Sequence, residues 1–70
     1  MLIRLDDPTL VDDLCAHFRR SGFTADPAGE SLVDVTRADA PSAEQERREV
    51  ELHLRVWKAT NPGADVELLP

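Results

Sequence analysis

The residues of this sequence whose types could do chemistry are one cysteine, two histidines and several clustered carboxylates. Cys15 and His17 stand two residues apart in a predicted helix, about 200° apart around its axis, so their side chains cannot converge on one atom. Cys15 also falls on the apolar stripe of that helix, where a buried thiol is normally inert. We therefore predict no catalytic or metal-binding role for this pair.

His53 is the more informative histidine, because it falls between Val56 and Trp57 on the wheel of a second predicted helix. The simpler interpretation is a hydrogen-bonded histidine in a helix–helix or subunit contact. The alternative is a pH-sensitive or ligand-contacting group in a pocket. Glu49 lies one turn earlier and could pair with His53 or supply a second metal ligand. Two ligands without a third make a weak site, so we expect no metal and no other cofactor.

Four aspartates surround the start of the first predicted helix: Asp6, Asp7, Asp12 and Asp13. A calcium loop needs regularly spaced oxygen ligands and a flexible glycine, which this segment lacks. Helix capping and solvation explain the carboxylates instead. The glycines are isolated, so no phosphate-binding loop is present, and no catalytic triad has a recognisable context. The sequence predicts a protein without catalytic activity.

The first predicted elements are a strand at Met1–Leu5 and a helix from about Pro8 to Ser21. Asp7 suits the N-cap, since it precedes a proline at the first helical position. Gly22 is expected in the left-handed conformation after the helix, with Phe23 folded back on the last turn. The helix has one apolar stripe, which consists of Leu10, Val11, Leu14, Cys15 and Phe18.

The middle of the chain predicts a hairpin with two unequal strands. Asp26–Glu30 has the proline and glycine typical of a turn. Ser31–Thr36 alternates as a strand should, whereas Phe23–Asp26 is short and suits a sheet edge. A last short strand is predicted at Ala64–Leu69.

The longest helix signal runs from Ser42 to Asn61, with a capping box of Ser42 and Gln45 at its start. Its apolar residues form two groups. One group is Val50, Leu54 and Trp57, and the other, roughly 120–180° around the helix, is Leu52, Val56 and Ala59. A helix that is apolar over so wide an arc must contact more than one neighbour.

The order β-α-β-β-α-β predicts an α+β fold, a ferredoxin-like sandwich with two helices on one face of a four-stranded antiparallel sheet. The first strand and Ser31–Thr36 should be central. A three-stranded sheet without the Phe23–Asp26 strand is the alternative. Seventy residues predict one small domain, residues 1–70. The aromatic residues of RNA-binding modules, the paired cysteines of heavy-metal-associated domains and the anion loop of acylphosphatases are not found at the corresponding positions.

The formal net charge of −6 argues against nucleic acid and anionic membranes as partners, since both attract basic surfaces. We expect no signal peptide or membrane span, because the first residues contain an acidic pair and no long apolar run. An unpaired cysteine is typical of a reducing compartment. These features together predict a cytoplasmic protein.

A chain of this size buries a core near the lower limit for independent stability, and it has neither a disulfide nor a zinc site. Oligomerisation is the remaining route to stability, so we predict a homodimer or a complex with another protein. The predicted interface residues are Leu52, His53, Val56 and Ala59. The open sheet face around Leu2 and Leu32 is the alternative surface. A monomer, with Leu52 and Val56 packed on the first helix, is also considered.

The predicted function is that of a non-enzymatic, self-associating protein-interaction module. The alternative is a small-molecule-binding regulatory domain, because the chain resembles the ACT-type amino-acid-binding domain in element order. That resemblance implies a ligand pocket at a subunit boundary, which His53 and Trp57 would line.

Overall fold

A computed structural model describes residues Met1–Pro70 and contains four strands and two α-helices. The elements are β1 (Leu2–Leu5), α1 (Val11–Arg20), β2 (Thr24–Gly29), β3 (Leu32–Thr36), α2 (Ala43–Thr60) and β4 (Val66–Leu68). Each element predicted from the sequence is present, and the α+β class is confirmed. No helix combines the length and the apolar composition that crossing a membrane would require.

The four strands form one open antiparallel sheet in the order β2-β3-β1-β4. The two apolar strands, β1 and β3, are central as predicted, and Ile3 lies opposite both Val33 and Leu68. The three-stranded alternative is wrong, because β2 pairs with β3 from Thr24 to Gly29.

The predicted turn at Asp26–Glu30 is also wrong, since β2 continues through this segment and the chain turns at Glu30 and Ser31. A proline is tolerated there because β2 is an edge strand, whose outer backbone groups need no partner strand. The ladder shifts register between Pro27 and Gly29, as a β-bulge does. The local turn preference is thus overridden by pairing with β3.

The start of α1 is preceded by a turn of 3₁₀-helix at Pro8–Leu10, so the α-helix begins later than the sequence predicts. Asp7 caps that turn as predicted: its Oδ1 accepts the backbone N–H of Thr9 at 3.0 Å and the Thr9 hydroxyl at 2.7 Å. At the other end, Gly22 has φ +90°, and the Phe23 N–H donates to the Phe18 carbonyl at 3.0 Å.

The two hydrogen bonds from Thr9 lower the pKa of Asp7 below its usual value of 3.8. A carboxyl whose folded-state pKa is depressed stabilises the fold above its unfolded pKa, and this contribution is lost as the pH falls through the folded-state pKa. Asp7→Asn should therefore lessen the loss of stability below a pH of about 4. At pH 7 the change should be smaller, since asparagine also caps helices.

Urea unfolding between pH 2 and pH 7 measures this effect. Asp65→Asn is the matched control, because Asp65 is exposed and its carboxylate makes no hydrogen bond. Identical acid profiles for Asp7→Asn and Asp65→Asn would contradict the assignment.

Fourteen buried residues, all hydrophobic, form one core between the helices and the inward side of the sheet. They are Ile3, Leu5, Val11, Leu14, Cys15, Phe18, Phe23, Ala25, Val33, Val35, Val50, Leu54, Trp57 and Ala64. The predicted stripe of α1 is in this core, with Leu10 half-buried at its edge. Helix α2 contributes only its first apolar group, and the second group is left outside.

Candidate functional site

The second apolar group of α2 faces solvent. Leu52 is 54% exposed and Val56 is 52% exposed, the highest values among the large hydrophobic residues. Ala59 is exposed beside them. These residues do not pack against α1, although the sequence left that arrangement open. They form the centre of a surface that we call the α2 outer face, which consists of Gln45, Arg48, Glu49, Leu52, Arg55, Val56 and Ala59.

Helix α1 contacts α2 on a different side, along a line that we call the α1–α2 seam. The Nε2 atom of His17 lies 3.0 Å from the backbone carbonyl oxygen of His53, so this nitrogen carries a proton and donates. The indole N–H of Trp57 donates to Oδ2 of Asp13 at 2.8 Å. These contacts place α1 over His53 and Trp57 and leave the α2 outer face uncovered.

The structure therefore separates His53 from the other predicted interface residues. Its half-buried ring lies in the seam, with its centroid 5.2 Å from that of Phe23 and 6.2 Å from that of His17. It is the backbone of His53, and not its ring, that takes part in the hydrogen bond across the helices. The position corresponds to the helix–helix contact that was the simpler interpretation.

Substitution of His17 tests the seam. His17→Ala removes the donor to the His53 carbonyl and part of the packing between the helices, and should lower the free energy of unfolding by about 1 kcal/mol or more. His17→Gln keeps an N–H donor of similar reach and should cost less. Urea unfolding followed by circular dichroism measures both variants. Equal stability of the two variants would mean that the hydrogen bond contributes nothing.

The carboxylates near His53 are engaged with Arg37, in the connection between β3 and α2. The backbone N–H of Arg37 donates to Glu46 at 2.8 Å, and its guanidinium lies 3.3 Å from Glu49. The central carbon of that guanidinium, Cζ, lies 5.0 Å from the centroid of the Phe23 ring. Glu49 thus pairs with Arg37 and not with His53. The protein has no group of three or more histidine, cysteine, aspartate or glutamate side chains arranged to hold a metal ion.

No sequence pattern predicts this Arg37 contact, because its partners lie 9 and 12 residues further on. Helical spacing relates Glu46 and Glu49 to other residues of α2 only. The path of the connection that brings Arg37 back over the helix depends on the tertiary fold. The half-burial of Glu46 and Glu49, which calls for a cation partner, is itself known only from the structure.

The aspartates at the start of the chain have separate structural roles. Asp6 accepts the backbone N–H of Asp65 at 3.0 Å and so ties the end of β1 to the segment before β4. Asp7 caps the 3₁₀ turn, and Asp13 accepts the Trp57 indole. Asp7 agrees with the interpretation as a capping group, whereas Asp6 and Asp13 make long-range contacts that the sequence did not predict.

Cys15 is fully buried, and burial raises the pKa of its thiol above the usual value of 9.0. The reactive thiolate is therefore scarce at neutral pH, as the position on the apolar stripe of α1 implied.

Three shallow depressions lie on the surface. One, on the α2 outer face, has a volume of about 250 Å³. The others lie beside β4, with about 270 Å³, and at the carboxyl end of α2, with about 460 Å³. Neither His53 nor Trp57 lines any of the three. The first is framed by Gln45, Arg48, Glu49, Glu51, Leu52 and Arg55.

The open sheet face carries charges that already pair with one another. Arg4 forms an ion pair with Glu67 on the neighbouring strand, and the N-terminal ammonium lies 3.3 Å from Asp34. Leu2 is 39% exposed among these groups. On this face one exposed large apolar side chain stands among ion pairs, whereas the α2 outer face has two such side chains one helical turn apart.

Charge is distributed unevenly between α2 and the rest of the chain. Helix α2 contains four acidic and four basic residues, so that the net charge of −6 comes entirely from the rest of the chain. The α2 outer face belongs to an electrically balanced element of an acidic protein.

Comparison of the chain with protein-family models, with curated proteins and with solved structures found no match.

Proposed function

We propose that this protein is a small, non-enzymatic interaction module that associates with a second copy of itself through the α2 outer face. The observation that carries the proposal is the exposure of Leu52 and Val56, adjacent on one side of the longest helix. Burial of an aliphatic side chain stabilises a complex by about 1.5–3 kcal/mol relative to full exposure. These two side chains are about half exposed, so each retains roughly half of that amount for a partner.

The proposal includes a ferredoxin-like arrangement as the finer fold class. It is supported by the sheet order β2-β3-β1-β4 and by the helical connections of β1 to β2 and of β3 to β4. In this arrangement the two helices lie side by side on the sheet. The outer flank of α2 then remains free for a partner.

The α2 outer face is favoured over the open sheet face because of where the charged residues lie on each surface. Arg4, Glu67 and Asp34 are already paired on the sheet, and covering them would require desolvation of exposed ion pairs. On the α2 outer face Arg48 and Glu49 are also paired, with Glu44 and Arg37, but they stand at the rim, and the apolar Leu52 and Val56 stand at the centre. This is the arrangement of protein–protein interfaces generally.

Sedimentation equilibrium on the wild-type protein tests the proposal. The monomer mass is 7.8 kDa. The apparent mass should rise from this value to twice this value between roughly 10 μM and 1 mM protein, the range of a weak or moderate dimer. An unchanged mass of one monomer throughout this range would refute self-association.

A second candidate, the ACT-like ligand-binding domain, is supported by element order and by the half-buried His53 ring beside Phe23. It carries less weight, because none of the surface depressions reaches His53 or Trp57. Calorimetric titration with free amino acids separates the candidates. The interaction module predicts no heat of binding, whereas a ligand domain predicts saturable binding that His53→Gln weakens.

A further inference from the structure

We infer that the α2 helices of the two copies pack antiparallel to each other. A two-fold axis that crosses the helices midway between Leu52 and Val56 relates the two copies. This inference rests on the proposed function and adds the orientation and the register of the two helices. In this register Leu52 lies opposite Val56 of the second copy, and Glu49 lies opposite its Ala59.

The depression on the α2 outer face supplies the sites into which side chains can insert. On a helix surface, residues spaced by three and four positions surround a hole that can receive one side chain from a facing helix. The six residues that line the depression form two such holes that share an edge. One hole is framed by Arg48, Glu51, Leu52 and Arg55, and the other by Gln45, Arg48, Glu49 and Leu52.

The carboxyl-terminal half of the same face supplies the side chains that insert. Val56 and Ala59 are exposed and three positions apart, which is also the spacing of the two holes. In the inferred register Val56 of one copy meets the hole centred near positions 51 and 52 of the other. Ala59 meets the hole centred near positions 48 and 49, where its small side chain permits close approach.

The opposite orientation loses this match. Parallel helices related by a two-fold axis bring equal positions to the same level, so the depression would face the depression and Val56 would face Val56. In the antiparallel arrangement the depression of each copy receives Val56 and Ala59 of the other copy. Each contact is thus formed twice, as an isologous dimer requires.

Charge favours α2 over the rest of the surface as the place where two copies of this chain can meet. Two molecules of net charge −6 repel each other wherever their acidic surfaces meet. Helix α2, with its balanced charges, is an element through which they can approach without that repulsion. In the inferred register Arg55 lies about 3 Å along the axis both from the level of Glu51 and from the level of Arg55 in the second copy, so these rim charges contribute no net attraction.

Distances between nitroxide labels on the full chain test the orientation. When Glu44→Cys is labelled in both copies, antiparallel helices displace the two labelled residues from each other by about 20 residues, or about 30 Å, along the helix axes. Parallel helices hold them only about 10 Å apart, the separation of two packed helix axes. Lys58→Cys is the matched control, because this exposed residue lies outside the α2 outer face and its two copies are only about 8 residues, or about 12 Å, apart along the axis in the antiparallel arrangement. It therefore gives a short distance in either orientation. Unsubstituted protein should not be labelled, since Cys15 is fully buried.

The expected result is a long distance at Glu44→Cys with a short one at Lys58→Cys, measured by electron spin resonance at a concentration where the dimer forms. Short distances at both positions would overturn the antiparallel orientation and leave the proposed self-association through α2 standing. Long distances at both positions would place the contact away from α2 and overturn the inferred interface. A monomer by sedimentation would overturn both proposals.

Discussion

Replacing Leu52 and Val56 together by lysine should convert the wild-type dimer into a folded monomer. Each dimer would lose four aliphatic side chains from the centre of its interface and place cations opposite cations, because Leu52 faces Val56 across the two-fold axis. We expect the dissociation constant to rise by at least about 100-fold, which corresponds to about 2.7 kcal/mol. Folding should persist, since both residues are half exposed and lysine is a good helix former.

Sedimentation equilibrium and far-ultraviolet circular dichroism together measure this outcome. Leu2→Lys is the control for the same kind of substitution on the open sheet face. Lysine there lies opposite Asp34 and should leave the dimer intact. If Leu2→Lys dissociates the dimer and the α2 variant does not, the sheet face is the interface. If the α2 variant unfolds instead, Leu52 and Val56 contribute to the fold itself.

Trp57→Ala should lose most of the stability of the domain. Trp57 is 2% exposed, and its removal takes the largest side chain from a core that only fourteen residues form. Truncation of a buried aromatic residue costs about 3–5 kcal/mol, a large part of the 5–15 kcal/mol typical of whole domains. We expect the urea midpoint, followed by circular dichroism, to fall by about half or more at 25 °C, since a domain of 70 residues lies toward the lower end of that range.

Trp57→Phe is the companion variant, since it keeps an aromatic ring in the core but cannot donate to Asp13. Its cost should be about 1–2 kcal/mol, which combines a lost hydrogen bond with a smaller ring. Asp13 is exposed and regains water as its partner. Equal stability of the alanine and phenylalanine variants would mean that the ring volume does not matter, contrary to the packing observed.

Local signals predicted most of the secondary structure. Ser42 accepts the Gln45 N–H at 3.1 Å at the predicted start of α2, and Gly22 has the predicted positive φ after α1. Such signals can be recognised in the sequence because the interacting residues are at most a few positions apart. The turn predicted at Asp26–Glu30 lies at Glu30 and Ser31 instead, although Pro27 and its partner Val33 are only six positions apart. Proline and glycine indicate that a turn is near, but an edge strand accepts both, so residue type alone does not determine where β2 ends.

The sequence by itself determined that α2 has two apolar groups, because helical periodicity places residues on faces without reference to the rest of the chain. It could not determine which group is covered, since that depends on which side of α2 the neighbouring helix occupies. The tertiary structure decided this: α1 lies along His53 and Trp57, and Leu52 and Val56 stay in solvent. It also decided that Glu46 and Glu49 hold Arg37, because a contact between a connection and a helix exists only after the chain has folded back.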